Sequence, residues 1–559
     1  MKQVLIVNIT RMGDLVQMGV LLGRLQQEWP GVAVDLIVDR RFAPIASFLP
    51  GIRDVIAYDF HALIDESRAA VKNAVMLYQE MAAWVHPLIE RRYDRIINLT
   101  FNRTSALLVG LVGAPDIRGV RSAWDGGAVV DNPWMAYFCD FHQFRRFNRF
   151  NLVDVYALGG SGPGSFTPLT ITIPAADRTW AREILVGAPE WIAVQAGASD
   201  VMKAWRPQLF GQVLARLGKR WSGGIVFIGS AAEESTIVEV IRTYQAAGGH
   251  HPIKNVAGQT TLGQLAAVLA ESRILLTNDT GPMHMAVATG TSVLDLSVGH
   301  VDFYETGPYG PGHWVIQPEL DCAPCGFDQV CAHQTCKDRI APDFVAEVLV
   351  HQLAQGPCPS AVAGARLYAS AVDEDGLGTF RLIRGSESLL TAWYAAYWRR
   401  YWYKAYTGIA SKVSMPQGSP PDREQVVGLM RALRPLIEEA WRNAEKIARL
   451  AGRSPIDSAQ LKQLKQWQYE QGVERERLVR MGMSVAATAP ITVAFLRQLQ
   501  SDNVQGLDRL SRHQSQAYRS WLGHVSHIER QFCEVVENVQ HSVQSEPPQH
   551  LIRPERLVA

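Results

Sequence analysis

The sequence lacks a strong charge of either sign: 55 Lys and Arg stand against 54 Asp and Glu, a formal charge of +1 over 559 residues. No global field recruits nucleic acid or acidic lipid, so a basic site has to be local. Long apolar runs are missing too. The longest weakly polar stretch, near Met481 to Leu496, is broken by Thr488, Pro490 and Thr492, and it falls short of the roughly 20 residues needed to span a bilayer. The opening Met1 to Val7 is too short for a signal peptide and runs straight into a glycine-bearing loop. A soluble, cytoplasmic protein with no nucleic-acid partner and no transmembrane segment is expected. Cysteine is sparse, seven in all, which excludes a general disulfide framework, yet four crowd between Cys322 and Cys336. Repeats of short period and low-complexity tracts are absent. So is the Gly-x-Gly-x-x-Gly fingerprint of nicotinamide dinucleotide binding, because the first strand leads into Asn8-Ile9-Thr10-Arg11-Met12-Gly13-Asp14.

What is present is length for two or three domains, with an apolar share of 47% and a charged share of 19%, both near globular averages. Short β-rich runs alternate with helical patterns: Val4 to Val7, Leu15 to Trp29, Val34 to Val38 and Arg95 to Leu99. A glycine-rich interruption, Gly159 to Gly164, precedes a second alternation through Trp191 to Gln195, Gly224 to Ile228 and Ile274 to Thr277. This is the α/β signature, read as two Rossmann-like domains over residues 1–165 and 166–356 with a cleft between them. Beyond Gly356 the pattern predicts a hairpin around Asp373-Glu374-Asp375-Gly376 and an aromatic helix from Leu389 to Tyr406, taken together as a linker over 357–410. The remainder, 411–559, reads as an α-helical extension. In it Trp521, Val525, Ile528, Phe532, Val535 and Val539 recur at spacings of four and three, the pattern of a coiled-coil seam with an oligomer or partner face.

The segment with most chemistry is Thr277-Asn278-Asp279-Thr280-Gly281-Pro282-Met283-His284, where a buried strand meets a small-residue turn and a helix start. Free amides there point outward at the positive end of the dipole and suit a diphosphate. Asp279 is placed for a sugar or ribose hydroxyl, and His284 lies one turn into the helix. A helix cap with a satisfied core histidine fits the same residues. Asp14, at the end of the first strand, delivers a carboxylate to the cleft; with Gln17 three residues on it also reads as a capping box. Both readings hold together, since a capping carboxylate can still face the cleft. The four cysteines are spaced Cys-x2-Cys-x5-Cys-x4-Cys. Four close thiolates suit a structural zinc or iron, and reduced, unligated thiols are the alternative. The aromatic helix offers stacking faces for a sugar or peptide, although aromatics at helical spacing more often pack between domains.

From Val4 to about Leu349 the chain resembles glycosyltransferase family 9, the ADP-heptose lipopolysaccharide heptosyltransferases. The resemblance is carried by the Asn8 to Leu15 opening, Ile192 to Ser199 followed by Lys203, Trp205 and Pro207, Ile225 to Glu233, and Ile274 to Ala286. It implies a GT-B fold, in which the first domain serves the acceptor and the second the nucleotide sugar. It further implies that Asp14 is the general base of an inverting transfer and that Lys203 steadies the leaving diphosphate, with Arg206 a competing cation. Gly13, Glu233, Asp279, Thr280, Gly281 and His284 are implied on the donor side, and Glu233 is preferred over Glu234 as the ribose carboxylate by register. Heptose would pass from ADP-heptose or a related nucleotide sugar to a lipopolysaccharide core or a protein. No cofactor would be needed for catalysis, and the protein would be cytoplasmic or peripheral at the inner membrane. Cys322, Cys325, Cys331 and Cys336 would hold a structural metal, as a cysteine cluster does in a protein-modifying group of the family. A non-catalytic scaffold on the same fold, assembling partners through its helical tail, is the alternative.

Overall fold

The computed structural model describes all residues except 61–73, 124–125, 328, 330, 355, 357, 361–363, 419, 421, 454, 500–506 and 535–559. The chain forms two compact units, Met1–Leu99 with Arg149–Glu387, and Thr100–Asn148 with Ser388–Ala559.

The first unit contains two largely parallel sheets. Strands β1 (Gln3–Val7), β2 (Ala33–Asp39), β3 (Ile52–Tyr58) and β4 (Arg95–Asn98) pair in the order β3-β2-β1-β4. Strands β5 (Asp116–Ser122) and β6 (Ala128–Asp131) belong to the second unit. The other sheet comprises β7 (Trp191–Gln195), β8 (Gly224–Phe227), β9 (Ile253–Asn255), β10 (Ile274–Thr277), β11 (Ser292–Leu296), β12 (Trp314–Pro318), β13 (Ala365–Val372) and β14 (Gly378–Arg384), ordered β14-β13-β12-β11-β10-β7-β8-β9. Its parallel part, taken from β9 to β12, has the doubly wound Rossmann order. Strands β1, β7 and β10 are almost wholly buried, because a parallel sheet covered on both faces needs continuous apolar runs. Strand order reverses beside β1 in one sheet and between β7 and β10 in the other. Loops after those strands open into crevices at the carboxyl edge, the place where such sheets receive ligands. The arrangement is a GT-B type α/β fold.

The hairpin expected in a linker is instead part of the second sheet. Strand β13 pairs antiparallel with β12, Trp314 opposite Ala369, and β14 follows it. Asp154, fully buried in the Leu152–Gly160 helix, locks it there by accepting from Tyr309 Oη at 2.8 Å and from the Gly378 amide at 2.8 Å.

The second unit is helical apart from the β5–β6 hairpin, and in it residues 100–148 are grouped with the tail. The aromatic helix Leu389–Thr407 is a core element: Trp393, Tyr394, Trp398 and Trp402 are all buried. Trp398 donates its indole N–H to the Ala487 carbonyl at 3.0 Å, and Trp393 meets Phe532 edge to face. The presumed seam is consumed within the chain. Trp521, Val525, Ile528 and Phe532 on the Leu507–Glu534 helix are buried in this unit, where that helix packs along Arg423–Ala451. Trp521 stacks on Phe495 with ring centroids 4.2 Å apart. Val535 and Val539 lie outside the described residues. No single described helix is long and apolar enough to cross a membrane, although Ser458–Met483 and Ala486–Leu499, bent by 115°, pass the length and composition test as a pair.

Candidate active site

The loop after β1 begins the site. Thr10 donates to Asp14 Oδ2 at 2.6 Å and to Asn8 Oδ1 at 3.0 Å, while Asn8 Nδ2 donates to the Asp14 carbonyl at 3.1 Å. The helix that follows, Met12–Gln17, starts at Arg11 with no side-chain cap. Asp14 therefore sits in the first turn and is not the N-cap, so the capping box suggested by Gln17 does not form. The carboxylate, half-buried, keeps Oδ1 apart from the Thr10 bond, and the helix start favours its charge. Asp14 lies near Tyr156, whose hydroxyl is pushed well above its ordinary value chiefly by burial and further by the Asp14 charge.

Across the crevice the loop after β10 approaches this turn. A Cβ on Gly13 would lie 2.9 Å from His284 Cδ2 and 3.5 Å from Gly281 Cα, so only glycine allows the two loops to come this close. Thr280 is the N-cap of the Gly281–Ala288 helix, Pro282 fills its first turn, and His284 is 5% exposed. Burial, the largest influence, holds the His284 imidazole below its usual value. Asp279 and Asp14 pull it upward, and Lys203 pushes it down. Its Nδ1 is buried and without a hydrogen-bond partner. Asp279 accepts a short hydrogen bond from Thr306.

Asn278 has a different task. Its Oδ1 accepts the Trp205 amide at 2.9 Å, and its Nδ2 donates to the carbonyls of Ala196 and Gly197 at 3.0 and 3.2 Å. It thereby clamps the loop after β7, with Lys203, onto the loop after β10. Arg206 is taken by Asp338 through bonds of 2.5 and 2.8 Å, which leaves Lys203 as the cation acting on His284 and Asp295.

Glu233 and Glu234 separate cleanly. Glu234 is held by Asn255 Nδ2 at 3.0 and 3.3 Å. Glu233 closes a capping box with Ser230, with bonds of 2.6 and 2.8 Å to Oε2, and presents Oε1 to Gln195 Nε2 at 3.4 Å. A Cβ on Gly197 would fall 1.9 Å from that Oε1. Gln195 went unnoticed in the sequence analysis. Its Oε1 accepts from Thr280 Oγ1 at 3.0 Å, so one amide joins the ribose-side carboxylate to the phosphate-side helix start. Register makes it the middle of nothing local: Gln195 is opposite Thr277, and Thr277 is opposite Asp295. Gln195 and Thr277 end neighbouring buried strands and Asp295 is the last residue but one of the third, which was the available signal. Asp295 is fully buried, and burial, reinforced by Asp279 and opposed by Lys203, lifts its carboxyl well above the usual range.

The four cysteines expected at a structural metal differ in exposure. Cys325 and Cys336 are buried, Cys331 is half-buried and accepts the Gln334 amide, and Cys322 is exposed; none of the four is in a disulfide. Among the described residues no group of three or more His, Cys, Asp or Glu is arranged to hold a metal ion.

Residues 81–336 match the model of glycosyltransferase family 9 (heptosyltransferase). Lipopolysaccharide core heptosyltransferase OpsX of Haemophilus influenzae is 23% identical over 317 residues, 55% of this chain and 82% of that protein. Lipopolysaccharide heptosyltransferase 1 of Pseudomonas aeruginosa is 25% identical over 350 residues, 62% of this chain and 92% of that protein. Among solved structures, a family 9 glycosyl transferase from Veillonella parvula aligns with a TM-score of 0.49 at 19% identity, covering 64% of this chain and 98% of that one. ADP-heptose LPS heptosyltransferase II of E. coli aligns at 0.47 and 20%, covering 64% and 99%. Residues 81–336, just under half of the chain, are thus similar to glycosyltransferase family 9 (heptosyltransferase).

Proposed function

We propose that the chain transfers a heptose from ADP-heptose, or a closely related nucleotide sugar, to a hydroxyl of a lipopolysaccharide core, inverting the anomeric carbon. The observation that carries this reading is the meeting of the Gly13-Asp14 turn with Gly281 and His284 at the reversal points of two sheets. It puts a carboxylate and a helix start within one crevice. Asp14 takes the proton from the acceptor hydroxyl as its oxygen attacks the anomeric carbon, and the bond from that carbon to the diphosphate oxygen breaks on the opposite side. Charge gathers on the departing ADP. Lys203 and the amides at Thr280 and Gly281 meet it, in the manner of an oxyanion site, so the step uses no metal. Glu233 receives a ribose hydroxyl, and neutral His284 offers a hydrogen bond without adding charge beside Asp14. The names of the most similar relatives favour lipopolysaccharide over protein as the acceptor class.

Purified full-length protein supplied with ADP-heptose tests this, with lipopolysaccharide-core and protein acceptors in parallel. Asp14→Ala should lower transfer by about 10²–10⁴-fold, the usual contribution of a general base, while donor binding persists. Unchanged transfer in the variant would remove Asp14 as the base, and transfer only to protein would reassign the acceptor.

A further inference from the structure

The segment that carries the cysteines has no part in the reaction so far, yet its end reaches the loop that carries Lys203 and Arg206. The short helix Cys336–Arg339 touches the 200–206 turn at three points. Lys337, only 4% exposed, donates from Nζ to the Val201 carbonyl at 2.6 Å. Its own carbonyl accepts the Trp205 indole N–H at 2.8 Å. Asp338 takes Arg206 in the two-bond pair already described. Upstream, the Cys325 amide donates to the Gly299 carbonyl at 2.9 Å, and Gly299 backs so closely on the Met202 carbonyl that a Cβ there would lie 2.2 Å from its oxygen.

A lysine is seldom buried, because its ammonium loses water that one carbonyl only partly replaces. Burial lowers the Lys337 ammonium below its ordinary value, with Arg206 acting the same way and Cys336, Asp200 and Asp338 opposing. Such a group is more costly than an apolar side chain of the same length, so its single strong contact is informative. That contact is to the first residue of the Val201–Lys203 turn, whose last residue is Lys203. Asn278 grips the same turn from the donor side through Trp205 N. Lys203 therefore projects from a backbone held on two sides, by the donor loop and by Lys337.

We propose that Lys337 is a positioning residue of the transfer reaction, whose ammonium fixes the Val201–Lys203 turn and thereby keeps the Lys203 charge at the departing diphosphate. The cysteine-bearing segment is then the buttress of that turn. This rests on the reading of Lys203 given above. A cation misplaced by about 1 Å loses much of its worth in the transition state, since electrostatic stabilisation depends on groups already in place.

Steady-state transfer by the full chain, with ADP-heptose as donor, should be measured for Lys337→Met, Lys203→Met and the double variant, each checked by thermal melting. Lys337→Met should lower kcat by about tenfold, corresponding to roughly 1.4 kcal/mol, and Lys337→Arg should recover part of the loss. In the Lys203→Met background the Lys337→Met effect should disappear, because a residue acting through Lys203 has nothing left to position. Equal losses in both backgrounds, or a wild-type rate for Lys337→Met beside a slow Lys203→Met, would overturn the proposal and leave the Lys203 reading standing. A wild-type rate for Lys203→Met would overturn that reading instead. If Lys337→Met does not fold, Lys337→Gln, which keeps a polar end without the charge, carries the same cycle at smaller amplitude.

Discussion

At the residue scale the site is defined by close approaches as much as by charges. Gly197 is the clearest case. Alanine there would bring a methyl carbon to 1.9 Å from Glu233 Oε1, so the carboxylate has to leave its place between Ser230 and Gln195. Gly197→Ala should raise the donor KM by about tenfold, near 1.4 kcal/mol, with kcat little changed, because the ribose contact is made equally in ground and transition states. Initial rates across a donor series check this, and an unaltered KM would show that Glu233 does not bind donor. Most of the charged residues here were legible in the sequence. Asp14, Asp279 and His284 follow buried strands at small-residue turns, which have a recognisable local composition, whereas Lys203 and Glu233 were singled out by the resemblance to glycosyltransferase family 9. Gln195 and Asp295 were not legible. Their significance comes from register between β7, β10 and β11, and a polar residue closing a buried strand looks the same in sequence whether its neighbour is polar or not. The capping-box spacing of Asp14 and Gln17 misled for a related reason, since a three-residue interval does not say where the helix begins.

At the scale of elements, what the sequence specifies is which face of a segment is apolar, and what it leaves open is which segment covers that face. Strands β1, β7 and β10 were readable because continuous apolar runs ending in small residues belong to covered parallel sheets. The β13–β14 hairpin was seen but not its attachment to β12, because alternation is identical in a free hairpin and in one added to a sheet edge. The four-three spacing through Trp521 to Phe532 likewise predicted a seam. Its cover is the chain's own Arg423–Ala451 helix, whose Met430, Leu433, Ile437 and Ala444 are fully buried. The spacing cannot distinguish a second chain from a second helix. Trp521 fills this interface with no exposed surface, and truncating a buried tryptophan costs about 3–5 kcal/mol. Trp521→Ala should lower the melting transition of the helical unit and expose its tryptophans to quenching. A melt equal to wild type would mean that this packing does not hold the unit together.

At the scale of the whole molecule, buried ionisable groups of both kinds set how stability depends on pH, and their signs oppose. Burial holds His284 below its usual value and takes His313 and His527 down to about 4. These rings stay neutral in the fold and take up protons once unfolded, so stability is lost as pH falls below 6.5 and the loss levels off near the folded values. Burial raises Asp295, and it raises Asp140 against the pull of Arg497. Those carboxyls keep their protons in the fold after the unfolded chain has released them above 3.8, so they give up stability as pH rises. Asp35, lowered by Arg53, Arg91 and Tyr93 against its own burial, loses its contribution only as pH falls below 3.8 and does not enter this window. Between pH 6.5 and 4.5 three imidazoles act against at most two carboxyls, and net stability should fall with acid. Replacing Asp295 by asparagine keeps the shape and removes one opposing proton. The advantage of Asp295→Asn over wild type should therefore widen by about 1.4 kcal/mol per pH unit on going up from 4.5 to 6.5, the slope for one proton. Urea titrations of both proteins at pH 4.5, 5.5 and 6.5 measure that difference directly. A constant gap would mean that Asp295 is ionised in the folded chain, and the charge balance drawn here between Asp279, Lys203 and His284 would then have to include it.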